Sequence, residues 1–254
     1  MLLYRILTFI APIVVGGFIG LLFWQAQLAY FVLICASLAA FFGVWRLLGN
    51  KIKSKKERFF YSLWSWLQVL SGLIFFLLIE DFIIKIVLAF LVIIFNFVYF
   101  NELFSQYFKK PLTPSGRLWA FFYASQIFVV FLSAASLFGV KDFLNIPFYI
   151  LLIIFFIIIF IISRYSNWAA WNINIKPSSC QMVIALIVSQ LFWAVSLLPL
   201  VYYLKGVLIT IIYSVIVSLL TWQMGKNGQP KFIRSYLLAA LVIFILILAT
   251  AEWF

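Results

Sequence analysis

Nine long apolar stretches, separated by short polar or charged segments, divide the chain. They lie at about residues 6–24, 28–48, 59–79, 82–104, 117–138, 146–163, 180–200, 204–224 and 233–251. Each has close to the ~20 residues that an α-helix needs to cross a ~30 Å hydrocarbon core. A strand of a membrane barrel would instead alternate apolar and polar residues. The pattern therefore predicts an all-α, polytopic transmembrane helix bundle of about nine spans.

Composition excludes an ordinary soluble protein. Of the 254 residues, 67% are hydrophobic and 9% are charged, whereas a soluble domain is roughly half apolar and a quarter charged. Too few polar groups are present to cover a surface in water, so lipid is the expected surrounding. Because the loops are short, we expect a single transmembrane helical domain over residues 1–254.

Lysine and arginine are distributed unevenly between alternate loops. With the N-terminus in the cytoplasm, 15 of the 18 basic residues fall in inside segments, and the exceptions are Lys85, Lys141 and Lys205. An excess of positive charge on the cytoplasmic side is typical of integral membrane proteins. We therefore predict an integral plasma (inner) membrane protein with its N-terminus in the cytoplasm and its C-terminus outside.

The net charge of +12 does not require a nucleic-acid partner. The most basic stretch, NKIKSKKER at 50–58, adjoins a predicted span, and no nucleic-acid-binding motif accompanies it. Basic residues next to a membrane fix its topology and meet anionic headgroups. The expected partners are therefore membrane lipids and no nucleic acid. A helix-packing protein partner or a homo-oligomer stays an open alternative.

Three outward-running spans share a short sequence pattern. They contain SLWSWLQVLSG (span three), YASQIFVVFLSAAS (span five) and IVSQLFWAVSLLP (span seven). Spans five and seven each follow a Pro-Ser pair, at 114–115 and 177–178, and proline near the first turn marks a helix start. The similarity favours a bundle built from repeated two-helix hairpins, as in many transporter folds. Chance similarity between apolar helices is the alternative.

Four side-chain amides lie at a similar depth in their predicted spans. They are Gln68, Asn96, Gln126 and Gln190. Each lies ~12–16 Å from the inner end, near the bilayer midplane. An unpaired amide in hydrocarbon costs several kcal/mol, so we expect these groups to face the bundle interior and one another. Helical phase adds Ser125 to the face of Gln126, and Ser189 and Trp193 to that of Gln190.

This polar layer has two interpretations. One is ordinary helix packing, in which polar contacts contribute about 0.6 kcal/mol per hydrogen bond. The other is a substrate-binding site, because carriers hold their substrates near the midplane. The candidate substrate-binding residues are Gln68, Asn96, Gln126, Gln190, Ser125, Ser189 and Trp193.

Glu102 is an acidic residue near the inner membrane interface, at the end of span four. Arg46 and Arg164 lie at helix ends on the same side, so we expect one of them to pair with this carboxylate. Such a pair either gates a pathway or only stabilises the bundle.

Catalytic and metal-binding residue types are scarce. The chain has no histidine, two cysteines and six acidic residues, and these do not form a ligand cluster in the sequence. Histidine-based acid–base chemistry is therefore excluded, and no metal-binding pattern is present. We assign no catalytic residue, metal or other cofactor, and an enzyme is disfavoured.

The C-terminal third has a sequence pattern of its own. The stretch LFWAVSLLPLVYYLKGVLITIIYSVIVSLL at 191–220 precedes a basic turn, a final apolar helix and the ending ATAEWF. A tryptophan-containing helix that ends at Leu-Pro, a short outer turn and a final small-residue-plus-Trp segment resemble a group of uncharacterised bacterial multi-pass membrane proteins. The resemblance covers residues 188–254. It implies a multi-pass topology for this end of the chain and no activity.

Three functions fit these patterns. The leading expectation is a small permease-like or lipid-handling protein with a polar site at the bilayer midplane. The alternative is a structural or accessory membrane subunit with no site of its own. The third is a membrane-embedded enzyme that acts on a lipid-linked substrate.

Overall fold

The computed structural model describes residues 2–49, 51–52, 54–108, 116–171, 178–224, 241–243, 245 and 249. Up to residue 224, these residues form eight α-helices and one short 3-10 helix, Ala26–Leu28. The α-helices are α1 (Leu2–Trp24), α2 (Ala29–Leu48), α3 (Lys55–Leu78), α4 (Phe82–Phe108), α5 (Gly116–Leu144), α6 (Phe148–Trp171), α7 (Ser178–Ser196) and α8 (Tyr202–Met224). No strand occurs among the described residues, so the all-α prediction is confirmed there.

Six helices are long and apolar enough to cross a membrane, namely α1 to α5 and α8. The described apolar parts of α6 and α7, Phe148–Arg164 and Gln181–Ser196, are shorter. Most of the predicted ninth span, at 233–251, lies outside the described residues. The fold is thus a helical one with six candidate membrane-crossing helices, and the count of nine spans and the hairpin repeat stay predictions.

The connection between α3 and α4 is short. Only residues 79–81 separate the two helices. At its end, the backbone N–H of Ile84 donates a 2.9 Å hydrogen bond to Asp81 Oδ1, which caps the first turn of α4. α3 begins in a similar way, because the Glu57 N–H donates to Ser54 Oγ at 3.4 Å.

Several helix ends differ from the predicted boundaries by four residues or more, and two of these differences have a local cause. α5 continues beyond residue 138 to Leu144, and the chain then turns at Asn145, whose φ of 49° is the left-handed conformation that often ends a helix. α7 ends at Ser196 rather than at 200. Pro199 explains the second difference, because a proline disfavours helical backbone at the residue before it.

The chain divides into two compact units, Met1–Ser125 and Gln126–Phe254, and the division falls inside α5. The expectation of one domain over residues 1–254 stays a prediction.

The helices α1 to α4 form a closed four-helix arrangement in the first unit. α1 packs against α2 and α4, and α3 packs against the same two helices. A larger share of α3 is buried than of any other candidate span. Its fully buried Trp64 and Tyr61 are the largest side chains of this core, together with Tyr99 and Phe100 of α4.

The two ends of the first unit differ in charge. Tyr4 of α1 packs on Phe108 of α4 with ring centroids 5.0 Å apart, and Lys51 Nζ lies 5.2 Å from the Phe108 ring centroid. The start of α1, the end of α4 and the α2–α3 connection therefore meet at one end, which we call the basic end. Its described charged residues are Arg5, Arg46, Lys51, Lys55, Lys56, Glu57, Arg58 and Glu102. The α3–α4 connection at the opposite end carries Glu80 and Asp81.

Aromatic stacking and one close helix contact organise the second unit. Phe192 of α7 stacks on Phe138 of α5 and on Phe155 of α6, with centroid distances of 4.1 and 4.2 Å. Gly206 of α8 lies against Ala135 of α5, so closely that a Cβ at position 206 would be 2.7 Å from the Ala135 Cβ. α7 also packs along α6 and α8.

Candidate functional site

Two fully buried amides lie roughly midway along neighbouring helices of the first unit. Gln68 belongs to α3 and Asn96 to α4, and the exposed fraction of both side chains is 0%. α3 and α4 pack against each other. The expectation that these two amides are buried inside the bundle is confirmed.

At this level α3 makes polar contacts with α4 and with α5. Asn96 Nδ2 donates a 3.3 Å hydrogen bond to Ser65 Oγ. Trp64 Nε1 donates a 3.3 Å hydrogen bond to Oγ of Ser125, on the part of α5 that belongs to the first unit. Ser65 lies three residues before Gln68 and Trp64 four, so all three share one face of α3. We call Trp64, Ser65, Gln68, Asn96 and Ser125 the polar layer.

The amide of Gln68 forms no hydrogen bond with any described residue. Its Oε1 and Nε2 are both buried and unpaired, and so is Oδ1 of Asn96. A buried polar group without a partner costs about 1–3 kcal/mol, because it has lost its bonds to water without replacing them. Since nearly all buried polar groups in folded proteins are paired, three unpaired atoms in one layer require a specific explanation.

The α3–α4 interface closes on both sides of the polar layer. Toward the opposite end, a Cβ built at Gly72 would lie 2.6 Å from Cγ2 of Val92, so the helices are in close contact there. Toward the basic end, the Tyr99 hydroxyl donates a 2.9 Å hydrogen bond to the Tyr61 carbonyl. The Tyr61 and Tyr107 hydroxyls share a further hydrogen bond of 2.7 Å. The unpaired amide atoms therefore lie between a tight apolar contact and a tyrosine cluster.

Ser65, Trp64 and the tyrosines were not among the site residues predicted from the sequence. The first two carry a usable signal, because they precede Gln68 by one helical turn and share its face. The tyrosines carry none, because aromatic residues are common throughout this chain.

The remaining predicted amides and their neighbours belong to the second unit. Gln126 is 2% exposed and Ser189 is 4% exposed, so both are buried as expected. The Ser189 hydroxyl donates a 2.6 Å hydrogen bond to the Ala185 carbonyl one turn earlier. A serine hydroxyl that donates to a carbonyl of its own helix does not use that hydrogen to bond a second helix.

Gln190 and Trp193 point outward on α7. Both are exposed, Trp193 by 55%, so the expectation that they face an interior layer is wrong. The physical reason is Phe192, whose stacking with Phe138 and Phe155 turns a different face of α7 inward. Positions 190 and 193 lie roughly 100–200° around the helix from position 192.

The expected ion pair of Glu102 does not form with Arg46. Glu102 is half-buried and Arg46 is exposed, and no ion pair joins them among the described residues. Arg164, the other candidate, is exposed on α6 in the second unit. A different arginine is fixed at the basic end, since Arg58 Nη2 donates hydrogen bonds of 2.7 Å to the carbonyls of Gly49 and Ile52.

The polar layer contains donors and acceptors but no charged group. Its polar atoms can donate hydrogen bonds to a neutral group and accept hydrogen bonds from it. Within the described part of the chain, no group of three or more Cys, Asp or Glu side chains is placed to hold a metal ion.

Comparison with known proteins gives no relative for this chain. No protein-family model matches the sequence, and no curated protein or solved structure matches it at a significant level. The resemblance of residues 188–254 to bacterial multi-pass membrane proteins therefore stays a prediction.

Proposed function

We propose that this chain is a multi-pass integral protein of the plasma (inner) membrane, with its basic end in the cytoplasm. Six long apolar helices support insertion, and the contrast in charge between the two ends of the first unit supports the orientation. The N-terminus would then lie inside, since α1 begins at the basic end.

Within that membrane, we infer a permease-like or lipid-handling function in which the polar layer binds a small uncharged molecule or headgroup. The observation that carries the proposal is the Gln68 amide, fully buried with both polar atoms unpaired. Asn96 Oδ1 offers a second free acceptor beside it. One primary amide and one amide oxygen complement a ligand that both donates and accepts hydrogen bonds, such as a polyol or an amide.

The Gln68→Met variant tests this proposal, because it keeps the length of the side chain and removes its polar atoms. If the amide is kept for a ligand, the variant loses an unfavourable desolvation term of about 1–3 kcal/mol. Its thermal midpoint in detergent should then rise by roughly 2–6 °C. Asn96→Leu is the comparison, since it breaks the bond to Ser65 and should lower the midpoint.

A ligand screen completes the test. Glycerol, glucose, glycinamide and diacylglycerol are added to the parent and to Gln68→Met, and a true ligand raises only the parent's midpoint. A fall in midpoint for Gln68→Met would show instead that the amide is a packing contact, and the binding proposal would be abandoned.

One observation on α7 favours a second candidate, the structural or accessory subunit. Gln190 is exposed on a face that also exposes Leu186, Ile187 and Trp193. An amide that faces hydrocarbon costs several kcal/mol, so this face suits another helix, from a partner protein or a second copy. Light scattering of the purified parent protein would then show a complex, and the Gln190→Leu variant would dissociate it. A parent protein that is monomeric and carries no partner would exclude this alternative.

A further inference from the structure

The outer face of α2 carries an exposed apolar stripe that ends on a cation. Ile34, Leu38 and Phe42 are 59%, 43% and 59% exposed, and Arg46 is the next residue at the same spacing. Residues four apart lie on one helix face, one turn above the other. The stripe therefore runs along α2 toward the basic end and finishes with a guanidinium.

α3 places a similar pair of groups beside this stripe. Phe59 is 46% exposed, and its ring lies 5.9 Å from that of Phe41 on α2. Lys55, four residues earlier on α3, is exposed at the helix start, and so is Lys56. On both helices, an exposed aromatic side chain is thus followed, one turn nearer the basic end, by a cation.

Arg58 ties two described residues of the α2–α3 connection to the start of α3, close to Lys55 and Lys56. Arg58 donates two hydrogen bonds to carbonyls of the connection, at Gly49 and Ile52. Its guanidinium also lies 5.3 Å from the ring of Trp45. Glu57, the acidic residue of this turn, is half-buried.

We propose that α2 and α3 bind an anionic phospholipid at this surface. Arg46 and Lys55 hold the phosphate, with Lys56 beside them, and an acyl chain lies along Phe42, Phe59 and the α2 stripe. Charge complementarity selects the anionic headgroup, because each cation near such a headgroup contributes favourably. The apolar stripe favours a lipid over a soluble phosphate, because only a lipid has an acyl chain to cover it. This inference needs membrane insertion but not the interior polar layer, so the two proposals can fail independently.

The test compares two double variants of the full chain in detergent by native mass spectrometry. Arg46→Gln with Lys55→Gln removes the proposed headgroup cations. Arg5→Gln with Lys51→Gln removes the same charge from the same end, and Lys51 lies over the Phe108 ring of α4 rather than over a ring of the stripe. The probes are palmitoyl-oleoyl phosphatidylglycerol, phosphatidylcholine of the same chains, and glycerol 3-phosphate.

The parent should prefer phosphatidylglycerol to phosphatidylcholine. The first double variant should bind phosphatidylglycerol about 25-fold more weakly, at about fivefold for each cation removed. The control double variant should change this affinity by less than about threefold, because salt screening weakens distant charges. The charge-conserving variant Arg46→Lys with Lys55→Arg should keep parental affinity, which separates lost charge from misfolding.

Three outcomes would overturn the proposal. Equal weakening in both double variants would mean diffuse attraction to the whole basic end. Equal affinity for phosphatidylglycerol and phosphatidylcholine would show that the anionic headgroup is not recognised. Glycerol 3-phosphate bound as tightly as phosphatidylglycerol would make a soluble anion the ligand.

Discussion

Glycines in this chain differ sharply in what surrounds them. At Gly206 on α8, an added Cβ would lie 2.7 Å from the Ala135 Cβ and 3.0 Å from the Ala135 backbone N and Cα. Backbone atoms cannot move aside as a flexible side chain can, so α5 and α8 would have to separate. At Gly20 on α1, no atom beyond the adjacent residues and the backbone of its own helix lies within 4 Å of an added Cβ.

These two positions give a matched pair of substitutions. Gly206→Ala should lower the free energy of unfolding by about 1–3 kcal/mol, as overpacked contacts do. Gly20→Ala should leave it unchanged or raise it by up to about 1 kcal/mol, because alanine is the better helix former. Equilibrium unfolding in mixed micelles of increasing SDS content measures both, and equal effects would contradict the close contact between α5 and α8.

The approximate position of each helix along the chain could be predicted well from the sequence. The rotation of a helix about its own axis could be predicted only in part. The apolar stretch at 180–200 corresponds to α7, whereas Gln190 was expected inside and is exposed. Its orientation depends on how Phe192 stacks with rings from α5 and α6, which the pattern of one helix does not contain. For Gln68 and Asn96, burial could be predicted because an unpaired amide in hydrocarbon is costly.

Neighbouring residues on α7 test its rotation. Phe192→Ala removes a fully buried ring and should lower the free energy of unfolding by about 3–5 kcal/mol. Trp193→Ala removes a larger side chain that is 55% exposed and should cost less than about 1 kcal/mol. Thermal midpoints of the two variants decide the matter, and a greater loss for Trp193→Ala would show that α7 is turned the other way.

Across the whole molecule, charge and connectivity point to the same arrangement of the first unit. Short connections make α1 to α4 alternate in direction, and the basic residues collect at one end as a result. The sequence could predict this because charge in alternate loops is visible without a structure. It could not predict the hydrogen bonds of the polar layer, which depend on contacts between α3, α4 and α5.

Cysteine labelling in intact bacteria tests the orientation. In a Cys35→Ser, Cys180→Ser background, Glu80→Cys should react with a membrane-impermeant maleimide from outside. Lys56→Cys should react only after the cells are permeabilised, because it lies at the opposite end of the same unit. Both positions are exposed, so a difference in reaction reports sidedness rather than burial. The reverse pattern would invert the proposed topology.

The burial of α3 has a consequence for biosynthesis. α3 is the least apolar of the six candidate spans and the most enclosed by protein. A translocon releases a segment into lipid according to that segment's own hydrophobicity, so α3 is poorly suited to enter the bilayer alone. α4 follows after residues 79–81 and is the most apolar of the six. We therefore expect the two helices to enter the bilayer together as a hairpin, in which α4 supplies most of the hydrophobic driving force and covers part of α3.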